Sequence, residues 1–293
     1  MTEGVTLEKR WILPKILDNV LSSELNSYSE IERRILANRG ICTKEDAEDF
    51  LNGLQQEGTD PFNLLGMKEA VDRLKRAIEN SEKIVVYGDY DADGVTATAL
   101  LIENLSYLGG NISHYIPDRF SEGYGLNKDA IGQIKESGAQ IVLTVDCGIR
   151  AIDEIVHANE LGLDVILTDH HQPGPELPDA LCVIDPKQDG DKYPNKGIAG
   201  VGIAYKLAEA VCRTLNSNSY RNSLDLVAIG TIADMAPLAA ENRYLVREGL
   251  KICARRLGTA SIKLMRIESA LVLARVSMRP EESIRQSMHY VYC

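Results

Sequence analysis

The spacing of apolar residues along the chain changes character near residue 83. Before that point the apolar positions follow a helical period, separated by polar turns. "SYSEIERRILANRG" opens on Ser-x-x-Glu and closes on Gly, a capped helix in outline. "TKEDAEDFLNG" offers Thr43 as its N-cap and ends at Gly53. "MKEAVDRLKRAIEN" puts Ala70, Val71, Leu74 and Ala77/Ile78 on one face. After residue 83 the apolar runs become short, β-branched and apolar on both sides. "KIVVYGD", "NISHYIPD", "QIVLTVDCG", "LDVILTDHH" and "DALCVIDP" read as strands. "VTATALLIENLSYLGG", "NKDAIGQIKESGA" and "RAIDEIVHANELG" read as helices among them. Strands without an exposed polar face, alternating with helices, predict an α/β fold. Its sheet is mostly parallel with helices on both faces, and a helical N-terminal segment precedes it. The expected boundaries are a lead-in at 1–80, the α/β domain at 81–252 and an atypical tail at 253–293.

Composition leaves this picture intact and narrows the function. The 293 residues carry 44% hydrophobic and 26% charged side chains, as a globular protein does, and the net charge is -11. That balance argues against a basic protein that coats nucleic acid. It leaves room for a nucleic-acid enzyme whose acids surround metal ions. The six cysteines are scattered and none forms a C-x-x-C pair, which fits a reducing cytosol and excludes a zinc ribbon. "MTEGVTLEKRWILPK" has no sustained apolar stretch, so no signal peptide is expected, and no uncharged apolar run is long enough to span a membrane. The expected location is cytoplasmic.

The chemistry gathers where the predicted strands end. The run 84–87 leads into Gly88-Asp89-Tyr90-Asp91-Ala92-Asp93. The run 141–145 leads into Asp146, and 165–168 into Asp169-His170-His171. Asp234 ends the apolar run 226–233. In a parallel sheet these ends share one edge, where ligands bind. Crowded carboxylates resist ionisation unless a cation lies among them. An oxygen-rich set with an imidazole suits Mn²⁺ or Mg²⁺. Two such ions with a shared carboxylate can clamp a phosphoryl group for in-line attack. Each piece has a plainer reading. The 89–93 loop can be a solvated turn, Asp146 a helix cap, and Asp234 the partner of Arg243. The conjunction of all of them favours the metal site.

These same stretches carry a resemblance. "YGDYDADGVTAT", "LTVDCGI", "ILTDHHQPG", "GIAGVGIAYKL" and "AIGTIADMAPL", in that order, resemble the DHH phosphoesterase superfamily. "IPDRFSEGYGL" and "RGICTKEDAEDFLNG…DPFNLLGMKEAV" resemble its RecJ branch of single-stranded-DNA exonucleases, over the chain to about residue 252. The resemblance implies 5′→3′ hydrolysis of single-stranded DNA in repair and recombination, with two divalent ions, Mn²⁺ or Mg²⁺. It implies Asp91, Asp93, Asp146, His170 and Asp234 as metal ligands, with Asp146 between the two ions. His171 would face the scissile phosphate and Asp169 would orient a histidine. Arg119, Gly200 and Gly202 would contact phosphate. The plainer alternatives are an Arg119–Glu122 ion pair and helix packing for the glycines. It also implies single-strand-binding protein or a helicase as protein partners, and no membrane.

Tyr87 stands where many members of the superfamily have a ligand histidine, which predicts one protein ligand fewer for one metal. Asp89 is expected to support the loop from behind. The DHH-associated domain and the oligonucleotide-binding domain of RecJ chains are expected to be absent from these 293 residues. The stretch after 253 is expected to be a truncated or frame-shifted end. Two rival readings remain. One is another phosphoesterase of the superfamily, acting on short oligonucleotides, cyclic dinucleotides or pyrophosphate. The other is a non-catalytic scaffold.

Overall fold

A computed structural model describes residues 24–52 and 59–257, in two compact units that divide between Gln56 and Glu57. The first unit has two short helices, α1 (Glu30–Asn38) and α2 (Lys44–Asn52). Ser29 and Glu32 form a reciprocal capping box at the start of α1, and Thr43 Oγ1 accepts from Asp46 N–H at the start of α2. Leu25, Leu36 and Ala47 form its small core, with Tyr28, Ile41 and Phe50 around them. Gly53, the expected stop of α2, lies outside the described residues, as does the tail from 258.

The second unit begins with a turn of 3-10 helix and α3 (Met67–Glu79). Five strands follow: β1 (Lys83–Gly88), β2 (Asn111–Tyr115), β3 (Ile141–Val145), β4 (Asp164–Thr168) and β5 (Cys182–Ile184). All pair in parallel, in the order β2-β1-β3-β4-β5. The helices are α4 (Ala92–Tyr107), α5 (Lys128–Glu136), α6 (Ile152–Glu160), α7 (Gly200–Thr214), α8 (Leu224–Ala233) and α9 (Ala240–Leu257).

Period-two alternation along the strands divides the core between the two faces of the sheet. Ile84, Val86, Ile141, Leu143 and Ile166 face one side, where residues of α3, α4 and α7 cover them. Val85, Tyr87, Val142 and Val165 face the other, under α5 and α6. The expected α/β sheet with two covered faces is therefore present. Grouped by its pattern with the lead-in, α3 packs inside the second unit through Met67, Ala70, Val71, Leu74 and Ala77. The chain leaves β1 toward β2 on one side and returns to β3 on the other. The sheet order thus reverses between β1 and β3, and the crevice at their carboxyl ends is where such sheets bind ligands. Among the described residues, no helix is long and apolar enough to cross a membrane.

Candidate metal centre

Four segments deliver side chains to that crevice. The turn after β1 carries Asp89 and then Asp91, which is the N-cap of α4. Asp91 Oδ1 accepts from the Asp93 and Gly94 amides at 2.9 and 3.0 Å. Asp93 lies in the first turn of α4, so these acids sit at the positive end of a helix. Asp146 follows β3 with φ +60°, a left-handed conformation that an aspartate adopts at some cost. Asp169, His170 and His171 follow β4. Asp234 caps the C-terminal end of α8, so the apolar run that it closes is a helix, not a strand. A carboxylate at a helix C-terminus meets carbonyl dipoles of its own sign, which makes a nearby cation more valuable.

The side chains converge into three overlapping sets, in each of which the ligand atoms lie within 4.8 Å of one another: Asp89, Asp91 and Asp146; Asp93, His170 and Asp234; and Asp146, His170 and His171. Asp146 belongs to two of them. Its Oδ1, the Asp89 Oδ1 and the His170 Nε2 are buried without a hydrogen-bond partner. His170 Nε2 is 2.9 Å from Asp146 Oδ1 and 3.7 Å from Asp93 Oδ2. The closer pair has the distance of a hydrogen bond but not the alignment, and a hydrogen bond requires both. Buried lone pairs aimed at a common space, with no donor between them, fit a divalent cation.

The electrostatics point the same way. Burial first, then the charges of Asp93, Asp91 and Asp169, push the Asp146 carboxyl up to about 10. Burial likewise pushes Asp89 and Asp93 up to about 6, in each case against the pull of backbone amides. The cluster holds more carboxylates than can ionise together without a positive partner. Asp169 is the exception. Burial raises it, but hydrogen bonds from His171 and the Ile149 amide outweigh that and hold it below the usual range. Its Oδ1 is 2.7 Å from His171 Nδ1, which places the proton on Nδ1 and turns Nε2 away from Asp169. That hydrogen bond raises His171 to about 9.

The glycines expected as phosphate contacts have other occupations. The Gly200 amide donates to Asp93 Oδ2 at 2.7 Å and the Val201 amide to Oδ1 at 2.8 Å, so the start of α7 holds Asp93. A Cβ on Gly200 would stand 2.8 Å from Asp146 Cβ and 2.9 Å from its Oδ1, so only glycine lets α7 begin there. At Gly202 a Cβ would meet Ile198 Cγ1 at 2.5 Å, which is helix packing. Arg119 is exposed, with its guanidinium 5.2 Å from the centre of the Tyr90 ring. The Glu122 carboxylate is occupied by the Tyr115 hydroxyl and the Asp118 amide.

Residues 83–231 match the DHH family, N-terminal domain. The chain belongs to the DHH family. Within it, the chain is 52% identical over 226 residues to the single-stranded-DNA-specific exonuclease RecJ of Bacillus subtilis (strain 168), covering 76% of this chain and 28% of that protein. It superposes on a crystal structure of exonuclease RecJ bound to manganese with a TM-score of 0.60 at 41% identity, over 64% of this chain and 48% of the other. RecJ from Thermus thermophilus in complex with Mn²⁺ gives a TM-score of 0.66 at 29% identity, over 90% of this chain and 41% of the other. The chain spans less than half the length of each of these RecJ relatives. The family read from the five motifs is therefore borne out.

One member of the cluster stands where the sequence does not suggest it. Asp89 is expected behind the loop, as support, but its carboxylate stands with Asp91 and Asp146. The signal for it is the Gly-Asp-x-Asp-x-Asp-Gly spacing itself, with Asp89 the first acid after the buried strand. Tyr87, at the position of the histidine expected in many relatives, points away from the cluster into the opposite face of the sheet.

Proposed function

We propose that this chain is the metal-binding part of a RecJ-like single-stranded-DNA exonuclease, hydrolysing phosphodiesters from the 5′ end with two Mn²⁺ or Mg²⁺ ions. The observation that carries the reading is Asp146: a strained, buried carboxylate shared by two ligand sets, with one oxygen left without a donor. Asp89, Asp91 and Asp146 would hold one ion, and Asp93, His170 and Asp234, with Asp146 between, the other. Bound there, such ions supply a Lewis acid and water made acidic enough to act as a nucleophile near neutral pH.

The chain's own side chains do the rest. Asp169 fixes the His171 ring through Nδ1, and the half-exposed imidazole would donate its other N–H to a phosphate oxygen. Gly200 and Val201 orient Asp93 and favour its ionised form against burial by giving it two amides. Arg119, exposed beside Tyr90, can hold a phosphate in the approaching strand. The domain carrying this chemistry is taken as 81–252. In the longer relatives, the matched region is followed or preceded by sequence that this chain does not span, and a closed groove for a single strand belongs there. Repair and recombination of DNA in the cytoplasm, alongside single-strand-binding protein or a helicase, is the corresponding cellular setting.

The test is release of label from 5′- and 3′-labelled single-stranded DNA by this chain in Mn²⁺, in Mg²⁺ and in EDTA. Metal-dependent loss of nucleotides from the 5′ end supports the reading. Turnover confined to pyrophosphate, with DNA untouched, would assign the chain to a different branch of the family.

A further inference from the structure

Tyr87 has no part in the cluster, yet it is fully buried at the end of β1 and well engaged. Its ring stacks on Tyr115 at 5.2 Å and 22°. Its hydroxyl donates to the Gly125 carbonyl at 2.9 Å and lies 3.4 Å from Asn127 Nδ2. The Tyr115 hydroxyl donates to Glu122, whose other oxygen accepts from the Asp118 amide at 2.7 Å. One stacked tyrosine pair thus ties down both sides of the loop that follows β2.

That loop presents its remaining large side chains outward. Phe120 is 90% exposed and Tyr124 58%. Tyr124 stands between Gly123 (φ +84°) and Gly125 (φ +81°), two left-handed positions that set the direction in which it projects. Its ring meets His171 edge-on, at 6.5 Å and 88°, and Tyr90 edge-on, at 6.3 Å and 83°. Arg119 lies over the same Tyr90 ring. Burial, then the charges of Asp169, Asp89 and Asp146, push the Tyr124 hydroxyl up, which fits a phenol that reaches toward the acids.

We propose that Tyr87 is a positioning residue for substrate: by holding the Gly125 carbonyl it sets Tyr124 edge-on against His171 and so shapes the wall beside the scissile phosphate. The tyrosine that replaces a ligand histidine therefore serves the neighbouring loop, while Asp89 completes the acid set. A terminal nucleotide entering the crevice would meet this wall, where the exposed Tyr124 ring, backed by Tyr90, offers stacking surface. The inference rests on the nuclease reading for its substrate and on the hydrogen bond alone for its mechanics.

Tyr87→Phe keeps the stacked ring and removes the bond to Gly125 together with the longer one from Asn127. Three measurements on the whole chain test it. Tryptic cleavage after Arg119 in the native protein should speed up, because the loop loses its tether. Mn²⁺ affinity should stay within about twofold, well short of the loss that follows when the support of a ligand is removed. The Kd for a short 5′-phosphorylated oligothymidylate, measured in Ca²⁺, should rise by about fivefold, the size of one lost hydrogen bond. Tyr124→Ala should weaken oligonucleotide binding similarly, and Tyr124→Phe should restore most of it. An unchanged tryptic rate overturns the tether. A loss of Mn²⁺ affinity matching the loss of oligonucleotide binding puts Tyr87 in the metal centre instead. A parent chain that neither binds nor cuts the oligonucleotide overturns the nuclease reading and with it the substrate half of this proposal. The tryptic rate still judges the tether on its own.

Discussion

The two halves of the acid cluster are built differently. The Asp89–Asp91–Asp146 half comes mostly from one turn: Asp89 and Asp91 are two residues apart, and Asp91 is exposed and fixed by its own helix cap. The Asp93–His170–Asp234 half draws on three distant segments: the first turn of α4, the end of β4 and the end of α8. Asp93 and His170 are buried, and Asp93 is gripped by the start of α7. A local turn can form early and adjust to an ion. An assembly of three segments exists only once the tertiary packing is complete, and it is set before any ion arrives. Substitutions at packing positions that carry no ligand should therefore damage the second half and spare the first.

Asp146, a member of the first half that stands 2.9 Å from His170 of the second, should be the most sensitive position. Asp146→Ala is expected to abolish metal-dependent hydrolysis, by about a thousandfold or more if one group that stabilises transition-state charge is a guide. A Tm in EDTA at or above that of the parent would show that the chain still folds, since the lost carboxylate is a buried, repelled one. Retention of activity in this variant would remove Asp146 from the centre. Gly230→Ala comes next. A Cβ there would stand 2.3 Å from Thr96 Oγ1 and 3.0 Å from Asp93 Oδ1, so α8 must move away from α4. One of two Mn²⁺ affinities should fall by about 10–100-fold, the usual result of disturbing the supports of a ligand. The other should hold. Equal loss at both sites would mean that the two halves are one unit. Asp89→Asn should give the reverse, weakening the locally built site by about tenfold. Mn²⁺ titration followed by electron paramagnetic resonance separates the two cases.

Much of this is legible in the chain. The switch from helical spacing to short β-branched runs locates the parallel sheet, and the acids at the ends of β1, β3 and β4 fall on one edge because parallel strands all point the same way. What the pattern lacks is direction. Asp234 closes an apolar stretch with hardly any amphipathic character, because α8 is apolar on nearly all sides. Strand and helix are then indistinguishable by period. Gly200 and Gly202 suggest an anion site at a helix start, but the anion that α7 receives is the protein's own Asp93, a pairing more than a hundred residues apart in sequence. That Asp89 stands with the acids and that Tyr87 meets the loop after β2 were hidden for a similar reason. Alternation tells which residues face opposite sides of β1, but not which loop a buried hydroxyl meets.

A weaker response belongs to stability, and it concerns the protein without metal. Asp89 and Asp93 titrate at about 6 and Asp146 at about 10 in the fold, against a reference of 3.8 when free in the chain. Each folded value is raised, so the folded state holds protons that the unfolded state has released. Their contribution is complete below pH 3.8 and is lost as the pH climbs through each folded value. In EDTA, Tm should therefore decline most steeply from about pH 4 to pH 6, where the folded state holds protons on Asp89, Asp93 and Asp146 that the unfolded chain has released, and less steeply from there to about pH 10, where only Asp146 still does. Mn²⁺ should reverse this trend, since it binds the ionised carboxylates and stabilises the folded state in proportion to its affinity. The gain in Tm on adding Mn²⁺ should then be larger near pH 8 than near pH 5. Asp89→Asn removes one of the raised groups from the locally built half and should flatten the first decline in EDTA. An equally steep decline between about pH 4 and pH 6 in that variant would mean that the strain sits with Asp93 and Asp146 and not with Asp89.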